Sequence, residues 1–229
     1  MNSAEILQAL TDAYHAQMSP DDELTVQFEI EGEGTWHVMF GGEAPPEVQP
    51  GARLDALFIF ALAPETLARL YNGDLAPLTA AGRAHISESA PLDFRLREDL
   101  SLTHDVYVDL VTFMQRFFNP STPERVELDE EHARKIHGGN AVALFYGSGF
   151  RSAWYLLRKG ERLNAPEDTN PFPQAFIFLS GQGRAQIGEE TVTVRASEAY
   201  YIPPHQKHVV WNERDEPLTL IFLAWGEGA

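Results

Sequence analysis

The sequence lacks cysteine altogether, and this absence excludes several kinds of chemistry. Disulfide bonds, thiolate metal sites and a cysteine nucleophile are all ruled out. Basic residues are scarce, since 17 lysines and arginines stand against 34 acidic residues for a formal net charge of -17. Because nucleic-acid binding and docking on anionic membranes both depend on basic side chains, we expect neither kind of partner.

Long apolar runs are absent as well. The longest one, residues 56–64, is far shorter than the ~20 residues that a membrane-spanning helix needs. The first residues show neither the basic region nor the apolar region of a secretory signal. These observations predict a protein of the cytoplasm.

Length and charge distribution predict two domains. The chain has 229 residues, and domains commonly have ~150 residues. Residues 1–120 carry a net charge of -13, whereas residues 121–229 carry only -4. Turn-forming residues at 119–123 mark the break, and the charged stretch 127–135 is typical of a solvated helix or linker. We predict domains at 1–120 and 139–229, joined by a linker or short helix at 121–138.

The first half mixes helical and strand periodicities, which predicts an α+β domain with a sheet covered by helices on one side. The apolar run 54–62 is typical of a strand that is covered on both faces. The predicted helices are 3–17, one that begins at Pro64 and ends at Gly73, one around Leu78 and one over 106–118. The predicted strands are 26–30, 36–40, 54–62, 84–87 and 92–96.

Residues 24–118 resemble the sterol carrier protein family of lipid-binding domains. A Gly-x-Leu-x-Pro run leads to a helix in that family, and Gly73, Leu75 and Pro77 form this run here. Gly82 fills the place of the glycine before the next strand, while a second family glycine is replaced near Glu88. The resemblance implies an apolar tunnel for lipids, acyl chains or sterol-like molecules. The alternative is plain core packing, which is what apolar periodicity mostly marks.

The second half contains short apolar or alternating segments that are separated by turn residues. About eight of them lie within ~90 residues, a spacing that is typical of a β-sandwich or barrel. Gly188-Glu189-Glu190 predicts a hairpin. The segments are 141–146, 153–158, 174–179, 184–187, 191–194, 199–203, 209–212 and 218–225.

Residues 156–226 resemble the cupin family. Four residues match the family's two motifs, and two of its glycines are replaced. The resemblance implies that an all-β cupin domain, a jelly-roll barrel, follows the sterol-carrier-like sheet-plus-helices domain in an α+β chain. The matches are Gly181, Pro203, His208 and Asn212, and the replacements are Ser197 and His205.

The metal-ligand set that the resemblance implies is largely lost. Cupins hold a divalent metal with three imidazoles and one carboxylate, and the same places hold Asp168, Asn170, Gln174 and His208 here. Amide oxygens are weak neutral ligands, and transition metals favour imidazole. We therefore predict no certain cofactor and keep a divalent metal at these four residues as the alternative. His205 lies three residues before His208 and would face the other way in an extended chain.

The same polar residues can instead close one end of an apolar pocket. A few convergent polar groups in an apolar cavity are typical of a small-molecule site. A third interpretation is a buried histidine that is hydrogen-bonded to Gln174 or Asp168 and has no further role. The predicted ligand-binding residues are Asp168, Asn170, Gln174, Phe176, Phe178, Tyr201, His208, Val210 and Phe222, with Asn212 beside the polar end.

We therefore favour a binding protein for a hydrophobic or amphipathic, lipid-like small molecule over an enzyme, and the sequence leaves catalysis open, with no nucleophile evident beside Asp168 and His208. The alternative is a metal-dependent cupin enzyme of the dioxygenase or isomerase type that uses Asp168 and His208, residues that could also form an acid–base pair. A further hypothesis is a homodimer through the cupin domain, since an edge strand at 141–146 could pair with a second copy.

Overall fold

The computed structural model describes residues 1–19, 23–41, 44–85, 87–120 and 125–229. They form two compact units. The first contains residues 1–81 and 87–125, and the second contains residues 82–86 and 126–229. No helix in these described ranges is long and apolar enough to cross a membrane.

The first unit is a five-stranded sheet packed with helices. The strand order is β3-β2-β1-β4-β5, in which β1 and β4 are parallel and the other neighbours are antiparallel. The elements are α1 Ser3–His15, β1 Leu24–Ile30, β2 Gly34–Phe40, β3 Gln49–Pro50, β4 Phe58–Leu62, α2 Pro64–Asn72, α3 Pro77–Ala81, β5 Leu92–Leu96 and α4 His104–Phe117.

Local signals in the sequence explain where these helices begin and end. Asn2 and Glu5 form a reciprocal capping box that satisfies backbone donors at the start of α1. Pro64 occupies the first turn of α2, and Gly73 ends that helix in the left-handed conformation, with a φ of 81°. Thr103 caps α4 by accepting a hydrogen bond from the backbone N–H of Val106.

A stack of phenylalanine rings fills the space between the sheet and α4. The ring centroids of Phe28 and Phe117 are 5.0 Å apart, those of Phe113 and Phe117 are 4.9 Å apart, and those of Phe60 and Phe113 are 5.6 Å apart. All four side chains are buried. The opposite face of the sheet is polar and carries an ion pair in which Arg95 donates to Glu29 at 2.7 Å. The predicted one-sided sheet is confirmed in the described residues.

The predicted strand at 54–62 is too long, because the structure begins β4 at Phe58. The Arg53 guanidinium binds the Asp55 carboxylate at 2.7 and 2.8 Å, and this pair closes a turn instead of continuing the strand. The side chain of Leu54 is consequently 98% exposed. A strand covered on both faces is wrong for residues 54–57.

The second unit consists of a six-stranded and a four-stranded sheet. The strand orders are β13-β10-β15-β8-β7-β6 and β12-β11-β14-β9, and every pair is antiparallel. The strands are β6 Arg134–Ile136, β7 Gly139–Gly147, β8 Phe150–Leu157, β9 Arg162–Leu163, β10 Gln174–Ser180, β11 Gln182–Ile187, β12 Glu190–Arg195, β13 Ala199–Ile202, β14 His208–Trp211 and β15 Leu218–Trp225.

Residues from both sheets share one hydrophobic core, which includes Phe176, Phe178, Val210 and Leu220. The eight segments predicted from the sequence all lie on strands of these sheets, and the predicted hairpin joins β11 to β12. The described strands form two separate hydrogen-bonded sheets, and no continuous strand pairing closes them into a barrel.

Two motif positions keep the backbone conformation of the glycines that they replace. Ser197 has a φ of 69° and His205 a φ of 63°, values in the left-handed region that glycine adopts most readily. Gly181 is retained, and a Cβ placed there would lie 2.3 Å from the Pro217 carbonyl oxygen. The turn geometry of the motifs is thus preserved although two glycines are lost.

The middle of the chain departs in part from the predicted elements. Of the helix or linker predicted for the charged stretch, residues 127–133 form no helix, and the following residues form the short strand β6. β6 pairs with β7 only from Gly139 to Ala141, so the rest of the predicted edge strand 141–146 has β8 as its one strand neighbour among the described residues. Residues 84, 85 and 87 lie in bends and a turn, so the strand predicted at 84–87 is wrong there, while residue 86 and linker residues 121–124 lie outside the described residues.

Candidate functional site

Three of the residues predicted as metal ligands meet between the two sheets of the second unit. Asn170 lies in the loop before β10, Gln174 begins β10 and His208 begins β14. The Asn170 side-chain nitrogen, Nδ2, is 3.3 Å from Gln174 Oε1 and 3.2 Å from His208 Nε2. A single amide group therefore bridges the other two side chains.

The hydrogen-bond partners assign the donor and acceptor atoms of this cluster. His208 Nδ1 lies 3.0 Å from the backbone carbonyl oxygen of Gln206, which can only accept a hydrogen bond, so Nδ1 carries the proton. In the neutral ring Nε2 is then an acceptor and requires a donor opposite it. The Asn170 NH₂ group supplies that donor, which fixes the orientation of this amide.

Burial keeps the His208 ring neutral. The residue is only 2% exposed, and removal from water lowers the pKa of its imidazole below 6.5. The hydrogen bond to the Gln206 carbonyl and the negative charge of Asp168 oppose this shift but do not cancel it. The imidazole is therefore uncharged at pH 7.

Asp168 does not join the bridge. Its carboxylate accepts a hydrogen bond from the backbone N–H of Ala165 at 2.8 Å and so closes a turn within the loop. The next residues of this loop are tied to the chain before β14, because the backbone N–H of His205 donates to the Asn170 carbonyl at 2.7 Å. Asp168 acts on His208 through its charge.

Gln174 holds the one unsatisfied polar atom of the cluster. Its side chain is fully buried, and its Nε2 has no hydrogen-bond partner among the described residues. A buried donor without a partner costs about 1–3 kcal/mol. Turning the amide over would place its NH₂ against the Asn170 NH₂, so the orientation that leaves Nε2 unpaired is the better one.

This arrangement does not fit a metal ion. The Asn170 NH₂ group points at the Gln174 oxygen and at the His208 lone pair, which are the atoms that would bind a cation. The Asp168 carboxylate is engaged by a backbone N–H. The donor set contains one imidazole, two amides and a carboxylate, which transition metals bind poorly compared with several imidazoles.

The predicted apolar wall is divided between core and surface. Phe176, Phe178 and Val210 are at most 1% exposed and belong to the shared core. Phe222 is half-buried, with its ring centroid 6.3 Å from that of Phe176. Apart from Tyr201, these side chains lie together as predicted from their spacing.

Tyr201 faces away from this wall. Its side chain is 58% exposed, and its register partner is Ala175, which lies on the opposite face of β10 from Gln174 and Phe176. Tyr200, paired with Phe176, packs against the core in its place. The inward orientation expected for Tyr201 is wrong, because the pairing of β13 with β10 turns Tyr200 toward the core and Tyr201 toward the outer face.

Asn212 anchors a loop and takes no part in the polar cluster. Its side-chain nitrogen donates to the carbonyl oxygens of Leu157 and Glu216, and its oxygen accepts from the backbone N–H of Arg214. The side chain is 1% exposed. These bonds hold the turn after β14 and join it to the end of β8, so the place expected for Asn212 at the pocket end is wrong.

A second titratable cluster was not foreseen from the sequence. Glu127, Asp129 and His132 bring their ligand atoms within 4.8 Å of one another. The imidazole Nδ1 lies 2.7 Å from the Asp129 carboxylate, and this hydrogen bond raises the pKa of His132. The spacing Glu-x-Asp-x-x-His was the available signal, and the structure places the His132 imidazole beside the carboxylates of Asp129 and Glu127.

Comparison with known proteins identifies the second unit. Residues 154–224 match the family described as the Cupin domain, so the chain contains a cupin domain. Nothing in these comparisons shows a sterol-carrier-like first half, and no curated protein matches the chain. The identification therefore covers the second unit alone.

Solved structures with similar folds are distant. A Cupin 2 conserved barrel domain protein from Salinispora arenicola is 20% identical, with a TM-score of 0.41 and coverage of 46% of this chain and 91% of that one. An RmlC-like cupin from Shewanella frigidimarina is 15% identical, with a TM-score of 0.38 and coverage of 46% and 87%. The assignment of the domain rests on the family match.

The neutral His208 predicts a pH dependence of stability. Because its pKa is lower in the folded than in the unfolded state, the unfolded chain binds the proton more readily. Its contribution is therefore complete above pH 6.5 and is lost as the pH falls below that value, with a slope of up to about 1.4 kcal/mol per pH unit. Urea unfolding of the full chain between roughly pH 7.5 and 5, a range that brackets the pKa of an unfolded histidine, measures it.

The matched comparison is His208→Gln against His205→Gln, since His205 is exposed. We expect the first variant to flatten the decline below pH 6.5 and the second to leave it unchanged. Equal slopes for wild type and His208→Gln would contradict a buried neutral imidazole.

Proposed function

We propose that this protein binds an amphipathic small molecule, and that its cupin domain does so without a resident metal. The observation that carries the proposal is the hydrogen-bonded bridge from Asn170 to Gln174 and His208, which leaves one buried donor unused. A ligand oxygen that accepts from Gln174 Nε2 would satisfy it. Apolar parts of the ligand would lie against the half-buried ring of Phe222.

The unused donor favours binding over a purely structural role. Buried polar groups in folded proteins nearly always have partners, so an exception calls for a compensating function. An apolar side chain of the same size would avoid the cost. Asn170 and Asp168 are half-buried and therefore place the polar end of the cluster within reach of solvent.

The enzyme alternative finds little support in this geometry. A metal-dependent dioxygenase or isomerase needs ligand lone pairs that face a common point, whereas an amide NH₂ group stands between Gln174 and His208. An acid–base pair of Asp168 with His208 would need a direct proton path. The Asp168 carboxylate is instead bonded to Ala165 and the His208 Nδ1 proton to Gln206.

The lipid-binding role of the first half remains part of the proposal. It is supported by the resemblance of residues 24–118 to sterol carrier proteins, while the described interior of that unit is filled by stacked phenylalanines. Native mass spectrometry of the purified protein, followed by solvent extraction, distinguishes a bound acyl or sterol-like molecule from an empty chain.

Replacing Gln174 by Met, which has nearly the same shape, separates stability from binding. Because the unsatisfied donor disappears, we expect unfolding free energy to stay equal or rise by about 1 kcal/mol. Affinity for an acyl probe that carries a carbonyl group should fall about tenfold, the effect of one lost hydrogen bond. Fluorescence titration and urea unfolding measure the two quantities.

The control is Gln186→Met on β11, where the amide nitrogen already donates to the Gly188 carbonyl. This variant should lose stability and keep probe affinity. The proposal fails if Gln174→Met binds the probe as tightly as wild type.

Rebuilding the ligand set tests metal independence. In wild type we expect only substoichiometric metal after incubation with Ni²⁺ or Zn²⁺ and gel filtration. The double variant Asn170→His/Gln174→Glu would present two imidazoles and a carboxylate and should retain near-stoichiometric metal in elemental analysis. Stoichiometric Fe, Mn or Ni in wild type, lost in His208→Ala, would instead support the enzyme.

A homodimer through the cupin domain is the second proposal, and the outer face of the six-stranded sheet supports it. Four aromatic side chains on this face are exposed, namely Phe145, Phe150, Tyr201 and Trp225. At 150–250 Å² per aromatic side chain, they leave roughly 400 Å² of apolar surface in contact with water. That is about half of what one partner contributes to a stable interface.

One row on this face suits a second copy of this chain because it carries no charge and alternates in size. The row runs Tyr201, Ala175, Leu223, Ser152 and Phe145, so large and small side chains alternate from strand to strand. Two such rows can interlock about a twofold axis. The neutral row places no like charges opposite each other in the contact, which matters for two chains that each carry a net charge of -17.

Light scattering after gel filtration tests the dimer. Wild type should dimerise, and Phe145→Asp/Tyr201→Glu should be monomeric because each charge would be buried in the interface. Leu128→Asp changes an equally exposed apolar residue elsewhere and should remain dimeric. A monomeric wild type at all concentrations would refute the proposal.

A further inference from the structure

The outer face of the four-stranded sheet carries a row of residues with a distinct chemistry. Thr193, Arg184, Trp211 and Arg162 are register partners on β12, β11, β14 and β9. Their neighbours Ala185, Val210 and Leu163 point into the core, so the row points outward. This face lies on the other side of the sheet from the core that holds Gln174 and His208.

Trp211 positions two guanidinium groups. The Cζ atoms of Arg162 and Arg184 lie 5.2 and 5.5 Å from the centre of the Trp211 ring. Because the two arginines come from the strands on either side of β14, they flank the indole. Cation–π contact restricts their rotamers before any ligand binds, which reduces the entropy cost of binding.

A cleft of about 320 Å³ lies beside this row. Arg184 and Arg214 contribute the cationic groups of its lining, and Gln182 and Thr193 contribute neutral hydrogen-bonding groups. The loop that carries Arg214 is held by the buried side chain of Asn212, which accepts from the Arg214 backbone N–H at 2.8 Å. The cleft is therefore formed by two strands and an anchored turn.

The arginines of this cleft are not neutralised within the described part of the chain. Arg53, Arg95, Arg97 and Arg158 each form an ion pair, whereas neither Arg184 nor Arg214 does so in the described residues. Both guanidinium groups therefore keep N–H donors available, and two such arginines in the lining of one cleft would attract an anion.

Glu213 is the acidic residue in the lining, and the structure gives its carboxylate a separate partner. One of its oxygens accepts a hydrogen bond from the Trp211 indole N–H at 3.1 Å. Neither Arg184 nor Arg214 approaches it closely enough to form an ion pair. A ligand with a hydroxyl or ammonium group next to its anionic group could contact the Glu213 carboxylate as well as the two arginines.

We propose that this cleft binds the oxyanion of a small molecule, a phosphate or a carboxylate, through the guanidinium groups of Arg184 and Arg214. Guanidinium groups bind both oxyanions through paired N–H donors. The cleft volume is at the lower end of the range for small-molecule sites, which fits a compact metabolite. The site is independent of the Asn170–Gln174–His208 cluster.

Nuclear magnetic resonance of the tryptophan indole groups tests the proposal. The Trp211 indole signal is assigned from its absence in Trp211→Phe, and inorganic phosphate, acetate and chloride are titrated separately at constant ionic strength. We expect saturable shifts of the Trp211 signal with phosphate or acetate, none with chloride, and no change at Trp36, Trp154 or Trp225. Stronger binding of phosphate or of acetate identifies the oxyanion that the cleft prefers.

Two variants and a control complete the test. Arg184→Gln and Arg214→Gln should each weaken phosphate binding at least tenfold, while Arg158→Gln removes an ion-paired arginine and should have no effect. Unchanged positions of the other indole signals show that each variant is folded. Shifts that are linear in concentration and equal for all three anions would overturn the proposal, as would full affinity in Arg184→Gln/Arg214→Gln.

Discussion

The polar cluster of the cupin domain depends on the side-chain amide of Asn170, which lies between the Gln174 amide and the His208 imidazole. Asn170 donates to Gln174 and to His208 from a loop that is itself tied to the start of β14. This bridge links the loop before β10 to β14 and supplies a donor opposite the Nε2 lone pair of His208. The bridge also occupies the Gln174 oxygen and the His208 Nε2 lone pair, so these atoms are not free to bind a metal ion.

Three of the residues at the four motif positions are joined by hydrogen bonds instead of presenting open lone pairs to a common point. Asp168 and Asn170 stand where the cupin resemblance implies two imidazoles and Gln174 stands where it implies a carboxylate, a donor set that transition metals favour less than imidazoles. Gln174 Nε2 remains buried and unpaired among the described residues. A buried donor without a partner costs stability, and under the proposed function a ligand acceptor would offset that cost.

Much of the fold could be predicted from the sequence because periodicity depends on short-range rules. Strand alternation located β1, β2 and all the long strands of the second unit, and Pro64 and Gly73 bounded α2. The failures have physical causes outside such rules. The Arg53–Asp55 pair turns an apolar segment away from its strand, and strand register decides that Tyr200 instead of Tyr201 packs inward.

The sequence predicted that Asn170, Gln174 and His208 lie close together, but it did not predict the hydrogen bonds between them. The cupin motifs brought Asn170, Gln174 and His208 together correctly, as their distances show. The course of the loop, which turns the Asp168 carboxylate toward Ala165, has no signature in a single sequence. The Arg184–Trp211–Arg162 row also escaped notice, since its members are distant in sequence and meet only through strand pairing.

The most direct test of this account is a measurement of the His208 ring nitrogens by ¹⁵N nuclear magnetic resonance at neutral pH. The account predicts a neutral ring with the proton on Nδ1 and a lone pair on Nε2, and a spectrum that neither a chelator nor added Zn²⁺ changes. A protonated ring, a proton on Nε2, or a signal that shifts when metal is added or removed would contradict it.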